Sequence, residues 1–410
     1  MEAMSVRGIS SALMSRRLPR TVVALGLVSL LTDVSSEMIY PLLPAFLATL
    51  GAGGAFVGLV EGVAETTSSF LKLLSGLISD RLRRKKPLVL AGYALASAAR
   101  PLLAIACAPW HVLAIRFTDR VGKGIRTSPR DALIAQATPD DRRGAAFGFH
   151  RAMDHAGALF GPLFAFALVS FFGLGARAIF ALAALPAAGA VIALIAGVRE
   201  DPGADHPPAT SPGGVRDVPG AGRLPGSLRA YLAIVALFTL ANASDAFILL
   251  RAQDAGIPAG RAPLLWALLH ATKSIFSAPM GALSDRVGRR ALIAGGWLVY
   301  ALTYLGFAWA RAPWHIYALF AVYGAYFALA EGAEKALVAD LAPRDARGRA
   351  FGAFHFVTGT CALPASLGFG LLWDRISHGA AFVAAAALAA LATAALVSAP
   401  LAPARSRTAS

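Results

Sequence analysis

The chain carries nearly the same string of signals twice, and nothing else in it constrains the fold so strongly. Gly76-Leu77-Ile78-Ser79-Asp80-Arg81 recurs as Gly281-Ala282-Leu283-Ser284-Asp285-Arg286, and Ala108-Pro109-Trp110-His111 recurs as Ala312-Pro313-Trp314-His315. Pro139, Asp141, Arg143, Gly144, Ala146, Phe147 and Gly148 return as Pro343, Asp345, Arg347, Gly348, Ala350, Phe351 and Gly352. The offset is about 204–205 residues, half the chain and far longer than a solenoid period. The repeated unit is hydrophobic, which implies two parallel copies of one membrane-embedded bundle.

Composition agrees with that class. Of 410 residues 57% are hydrophobic and 15% charged, against roughly 25% charged in a soluble domain. Six apolar stretches precede residue 200, at 21–46, 55–78, 87–108, 111–136, 145–173 and 178–198. Six follow, at 229–251, 262–283, 291–310, 314–340, 350–373 and 379–399. Each reaches the ~20 residues a helix needs to cross a hydrocarbon core of ~30 Å. Only 111–136 fails on hydropathy, because it carries Arg116, Asp119, Arg120, Lys123, Arg126, Arg130 and Asp131. Its repeat partner is apolar as far as Glu331, so the internal symmetry restores the crossing.

Loop charge sets the expected orientation. The joins at Arg81–Lys86, Arg142–Arg143, Arg199–Arg229, Arg286–Arg290 and Arg344–Arg349, with both termini, hold about 23 Lys and Arg, and the opposite joins about five. The basic side is expected to be cytoplasmic, with both termini inside. The net charge of +15 is then topogenic and calls for no nucleic-acid partner. The basic start runs into an apolar stretch that passes Tyr40 and reaches Leu50, so an uncleaved first span is expected rather than a signal peptide. Cys107 and Cys361 give neither metal spacing nor a disulfide framework and are expected to pack as small apolar residues. Residues 201–227, rich in Pro and Gly, read as a flexible linker, and the tail as disordered.

Charges within the spans carry the functional signal. At ~100° per residue, Arg116, Arg120, Lys123, Arg126 and Arg130 share an arc of about 120°, which must face partners or water rather than lipid. Asp33 and Glu37 lie four apart on the first span, with Tyr40 beneath them, and Glu61, Glu65 and Lys72 share a face of the second. His150, Arg151, Asp154 and His155 cluster early in the fifth. The second half is poorer, with Asp245, Arg251, His270, Lys273, Glu331, Glu334 and Lys335. The first-half acids nearly balance the bases, so a buried ion-pair network that only orders helices stands beside a working polar site. No nucleophile–base group, Walker-type loop or metal spacing occurs; the expectation is no enzyme, no cofactor and no metal.

With repeat, spans and loops assembled, the chain resembles the major facilitator superfamily over nearly all its length. Gly281, Asp285, Arg286, Gly288, Arg289 and Arg290 match that family's motif between helices 2 and 3. The first copy keeps Gly76, Asp80 and Arg81 but has Arg83 for the second glycine. Gly157-Ala158-Leu159-Phe160-Gly161-Pro162 resembles the Gly-Pro element of the family's antiporters, with Ala165-Phe166 in place of its closing glycine pair. Arg116 stands where the family has a helix-4 arginine tied to proton coupling.

The resemblance implies an all-α integral membrane fold of twelve transmembrane helices in two pseudo-symmetric six-helix bundles. The expected division is 1–200, a cytoplasmic linker 201–228, a second bundle 229–400 and a tail 401–410. The expected activity is secondary active transport through the inner membrane by alternating access: proton-coupled export of a small organic molecule by a monomer. Asp33, Glu37 and Arg116 are the coupling candidates. Tyr40, Glu61, Glu65, Asp119, Arg120, Lys123, Arg126, Asp154 and Asp245 are the cavity candidates. The motif residues act as a gate. Uptake of an organic anion by symport or exchange, drawn to the cationic helix face, remains the alternative, and a transporter-like sensor a weaker one.

Overall fold

The computed structural model describes residues 18–82, 84–138, 143–200, 224–342 and 347–401. Among them the chain forms helices and no strand. In the first half these are α1 (Arg20–Thr49), α2 (Gly54–Arg81), α3 (Lys86–Ile105), α4 (Pro109–Gln136), α5 (Arg143–Phe172) and α6 (Ala176–Gly197). In the second they are α7 (Gly226–Asp254), α8 (Ala262–Val287), α9 (Arg289–Trp309), α10 (Pro313–Leu341), α11 (Arg347–Arg375) and α12 (His378–Ser398). Nine of the described helices are long and apolar enough to cross a membrane. The other three are α2, α4, where the sequence already showed a charged span, and α8. All three carry polar residues described below.

The repeat has a structural cause at each of its signatures. Pro109 and Pro313 open α4 and α10, where a missing N–H costs nothing. Two residues on, His111 Nδ1 accepts from Cys107 N–H at 3.2 Å, and His315 Nδ1 accepts from Ala312 N–H at 3.2 Å. Cys107 is exposed at this turn rather than packed. The basic ends of the loop motifs are anchors as well as topogenic charges. Lys86 Nζ donates to the carbonyls of Ile195 and Val198 at the close of α6, at 3.0 and 2.6 Å. Its repeat partner Arg290 donates to Val397 and Ala399 at the close of α12, both at 2.6 Å. Cations there satisfy orphan carbonyls and complement the helix dipole. Gly288 sits at φ 96°, a region that L side chains avoid, and turns the chain from α8 into α9. Gly76 lies within α2, 3.6 Å from Ser128 of α4 when given a Cβ. The side chains of Asp80, Arg81, Asp285 and Arg286, and Gly281, lie outside the described residues, as do Arg83 and most of the linker and tail. Helix α7 begins at Gly226, inside the stretch expected to be linker.

Each half packs around its own apolar core. One cluster runs from Leu228 to Leu396, and two others draw on first-half residues; Ala246 and Leu250 of α7 join the first-half side and Tyr40 of α1 packs on the other. Within the first half, α1 packs on α5 and α6, and α4 on α2 and α3. Glycine sets these spacings. Gly92 and Gly122 meet backbone to backbone where α3 crosses α4, and Gly124 lies against Leu71 of α2. Close approach of this kind is how membrane helices gain packing without a hydrophobic driving force. The halves meet along α2–α11 and α5–α8, with the short contact of α1 and α7 between them. Along α2–α11, Gly58 and Gly62 face Ser366 and Leu363, Thr66 Oγ1 donates to Gly359 O at 2.7 Å, and Gly370 faces Gly54. At the end opposite the loop motifs, Asp374 accepts from the first N–H groups of α2, those of Gly54 and Ala55, both at 2.7 Å.

Candidate functional site

The charged face of α4 is not uniform: its residues turn to different neighbours. Arg116, 5% exposed, directs Nη2 onto both carboxylate oxygens of Glu61 in α2, at 2.8 and 2.9 Å. Its guanidinium also stands 5.6 Å from the Tyr40 ring centroid and 3.9 Å from Asp119. Asp119 is held mainly by Arg100 of α3, Nε to Oδ1 at 2.8 Å, while Arg120 reaches its other oxygen only at 4.0 Å. Arg100 donates in turn to Thr32 O of α1 at 3.0 Å. Arg126 is buried against α3, its guanidinium 4.2 Å from the Tyr93 ring centroid, with Nε and Nη1 unpartnered among the described residues. Arg130 is bound to Asp131 at 2.8 Å.

The coupling candidates are separated from Arg116 in this conformation. Asp33 and Glu37 were grouped with Arg116 for coupling, but the acid that Arg116 meets is Glu61. Glu37 instead accepts from Trp266 Nε1 of α8 at 2.7 Å, across the interface of the halves. The Asp33 carboxylate makes no hydrogen bond or ion pair among the described residues, and lies within electrostatic reach of Lys123, Arg126, Glu37 and Asp154. Asp154 accepts from Ser29 Oγ and has His150 and Arg151 each at 3.6 Å. Behind the two α1 carboxylates stand the glycines of α5. A Cβ at Gly157 would lie 2.7 Å from Asp33 Cβ, and one at Gly161 would lie 2.9 Å from Glu37 Cβ. The Gly-Pro element therefore seats α5 directly against the turn that carries both acids.

The second half contributes a polar and aromatic surface. Helix α7 opens over residues 242–245. There Asp245 accepts from Tyr323 Oη at 2.6 Å, and Ser244 Oγ lies 3.3 Å from Tyr40 Oη. This contact joins α1 to α7 across the two halves. Trp266 packs at a tilt against Tyr40, with ring centroids 4.7 Å apart, and Lys273 Nζ lies 3.4 Å from the Phe327 ring centroid. Arg251 is structural, tying α7 to α9 through the carbonyls of Phe307 and Ala310. Glu65 is exposed, with Ser69 Oγ at 3.5 Å. Trp266, Tyr323 and Ser244 were missed by sequence reasoning. One signal was available: Trp266, His270 and Lys273 fall on one stripe of α8.

Pockets of about 690 Å³ beside Gly288–Ala291 and about 520 Å³ between α7, α11 and α12 lie at the edge of the second half. Neither contains any part of the ionic network, which follows the helix seams instead.

Comparison with known proteins gives a consistent result. The family model described as Major Facilitator Superfamily matches residues 25–359 and 230–410. An uncharacterized MFS-type transporter of Methanocaldococcus jannaschii is 36% identical over 367 residues, 87% of this chain and 89% of that protein. An uncharacterized protein of Mycobacterium tuberculosis is 29% identical over 90% of each chain. Multidrug resistance protein MdtH of Proteus mirabilis is 30% identical, over only 36% of this chain and 38% of its own. Among solved structures, the nucleoside transporter NupG superposes with a TM-score of 0.76 at 14% identity, covering 92% of this chain and 99% of that one. An inward-facing bacterial homologue of the lysosomal transporter Spinster gives 0.72 at 15% identity, covering 92% and 95%. At such identities these two share the fold alone.

Proposed function

The chain belongs to the major facilitator superfamily, and from that premise we propose that it exports a small organic molecule across the inner membrane in exchange for protons, by alternating access. The fold and family are those of multi-pass membrane transporters, not enzymes. Both termini are assigned to the cytoplasm on the distribution of loop charge. Export is supported by the partial likeness to the multidrug resistance protein.

One observation carries the coupling: Glu37 is hydrogen-bonded to Trp266 of the opposite half, one turn from an Asp33 whose carboxylate lacks a direct partner among the described residues. Opening the seam on that side must replace the tryptophan N–H by water, so the surroundings of the acid pair change with the direction the protein faces. A carboxylate's proton affinity rises on burial and falls beside a cation. Acids whose surroundings alternate in this way take up protons on one side and release them on the other. The Arg116–Glu61 pair, with Tyr40 below it, borders the same region and is read as the polar wall against which cargo binds. Asp245 and Tyr323 form the facing wall.

In vesicles holding the full chain and an internal pH indicator, a transported compound should move protons. Asp33→Asn should abolish transport driven by a pH gradient while leaving binding or exchange measurable. Substrate-driven proton movement that persists unchanged in the Asp33→Asn/Glu37→Gln double variant would remove both acids from the mechanism.

A further inference from the structure

Helices α2 and α4 are fixed at their loop-motif ends by three contacts: Gly124 against Leu71, Ser75 Oγ donating to Gly124 O at 2.8 Å, and Ser128 Oγ donating to Lys72 O at 2.7 Å. This crossing sets Lys72 against the turn 124–128 of α4, directly after Lys123, which is itself one helical turn beyond Arg120. The three cations lie within electrostatic reach of one another, and Glu65 is the acid that all three share. Asp33 lies within reach of Lys123 alone of the three, so two acids face three cations; Asp119 is committed chiefly to Arg100, Glu61 to Arg116 and Asp131 to Arg130. Neither Lys72 nor Lys123 has an ion pair or side-chain hydrogen bond among the described residues, and Arg120 has only the 4.0 Å approach to Asp119. The cluster therefore holds more positive charge than its surroundings neutralise.

The second half meets this cluster with charge of the same sign. Lys335 of α10 is within electrostatic reach of Lys72, although it is itself paired with Glu331 at 3.0 Å. Such an excess inside a membrane bundle is costly unless it faces water or an anion. It also opposes approach of the two halves at the loop-motif end, because like charges cross the seam there.

We propose that Lys72, Arg120 and Lys123 form a binding site for an oxyanion carrying at least two negative charges, with Lys335 meeting the same ligand from the other half. Two lysine point charges and one guanidinium fork suit the spread charge of a phosphate-type group. The ligand then does two things. It cancels the excess charge of the first half, and it bridges Lys72 and Lys335, turning their repulsion into a shared attraction that favours closure of the loop-motif end. A free phosphate-bearing solute and an anionic lipid headgroup offer the same chemistry. This inference rests on the export reading, for which the anion is the cargo or the charged part of it.

The test uses the full chain in phosphatidylcholine nanodiscs, with pyrophosphate as probe and chloride at matched ionic strength as control. A ligand that binds the folded state raises the unfolding midpoint. Pyrophosphate should raise it, Lys72→Gln and Lys123→Gln should each weaken binding roughly tenfold, and Lys123→Arg should preserve it. A rise produced instead by phosphatidylglycerol in the disc, and lost in the same two variants, supports the site with a lipid as its source. No rise with either, or a rise that survives Lys72→Gln/Lys123→Gln, overturns the site. The same samples carry spin labels on α5 and α8 to report alternating access. A chain that alternates without binding the probe refutes the anion site and leaves the carrier intact; one that binds without alternating does the reverse.

Discussion

Removing Glu61 should destabilise the folded protein by about 3–5 kcal/mol, and removing Arg116 should cost as much. The pair has side chains only 6% and 9% exposed, and two oxygens of one group meet one nitrogen of the other at 2.8 and 2.9 Å. With Glu61→Ala the guanidinium keeps only Asp119 at 3.9 Å, and Asp119 already serves Arg100. With Arg116→Ala the Glu61 carboxylate is left against apolar neighbours such as Val57, Val60 and Ala64, all at 1% exposure or less. The cost comes from stranding a buried charge rather than from the intrinsic strength of the pair. Glu61→Ala/Arg116→Ala should therefore lose less than the sum of the singles. Denaturant titrations of the three variants in one detergent measure this. Additive losses, or a single variant with an unchanged midpoint, would mean that the pair is solvated rather than buried between α2 and α4.

Gly161→Ala should impair coupling more than abundance. A Cβ at Gly161 would stand 2.8 Å from Val34 O and 2.9 Å from Glu37 Cβ, and one at Gly157 2.6 Å from Leu30 O. The clashing atoms are backbone or sit next to it, so no rotamer change relieves them and α5 must move away from α1. Overpacking of this kind costs about 1–3 kcal/mol. The displacement falls on the turn that presents Asp33 and Glu37, so proton-driven transport should drop by more than folded protein does. Gly295→Ala is the control: nothing lies within 4 Å of a Cβ there, and alanine should be neutral or slightly favourable within a helix. Equal loss of protein and transport in Gly161→Ala would assign the glycine to packing alone.

The two-fold plan and most helix boundaries were legible because lipid demands long, self-bonded apolar helices and the repeat marks where the plan begins again. The break in α7 was not, since residues 242–245 contain neither Gly nor Pro. It is held by one tertiary bond, Ser244 N–H to Ser366 Oγ of α11 at 3.1 Å, and one local bond, Ala246 N–H to Ser244 Oγ at 3.2 Å. The polar face of α4 was readable from its period, but the division of that face was not. Helical angle places Arg116, Arg120 and Arg126 on one arc. Which of them meets Glu61, which approaches Asp119 and which lies on Tyr93 depends on the crossing positions of α2 and α3. Those crossings are set by Gly92, Gly122 and Gly124, whose meaning appears only once both helices are in place. The Glu37–Trp266 bond was hidden for a related reason: 229 residues separate its partners, and they belong to different halves.

Alternating access is the claim on which the rest depends, and one helix pair reports both ends of it. Helices α5 and α8 run antiparallel across the seam. Exposed Phe147 and Val287 mark the loop-motif end, and exposed Phe172 and Arg261 the other, where Val169 already touches Gly260. Spin labels at Phe147→Cys/Val287→Cys in one sample and Phe172→Cys/Arg261→Cys in another, each on a background lacking Cys107 and Cys361, give two distances at pH 5 and pH 8. The prediction is that one distance lengthens as the other shortens, and that Asp33→Asn/Glu37→Gln removes the pH response. Two distances that stay fixed, or that change in the same sense, would contradict the account.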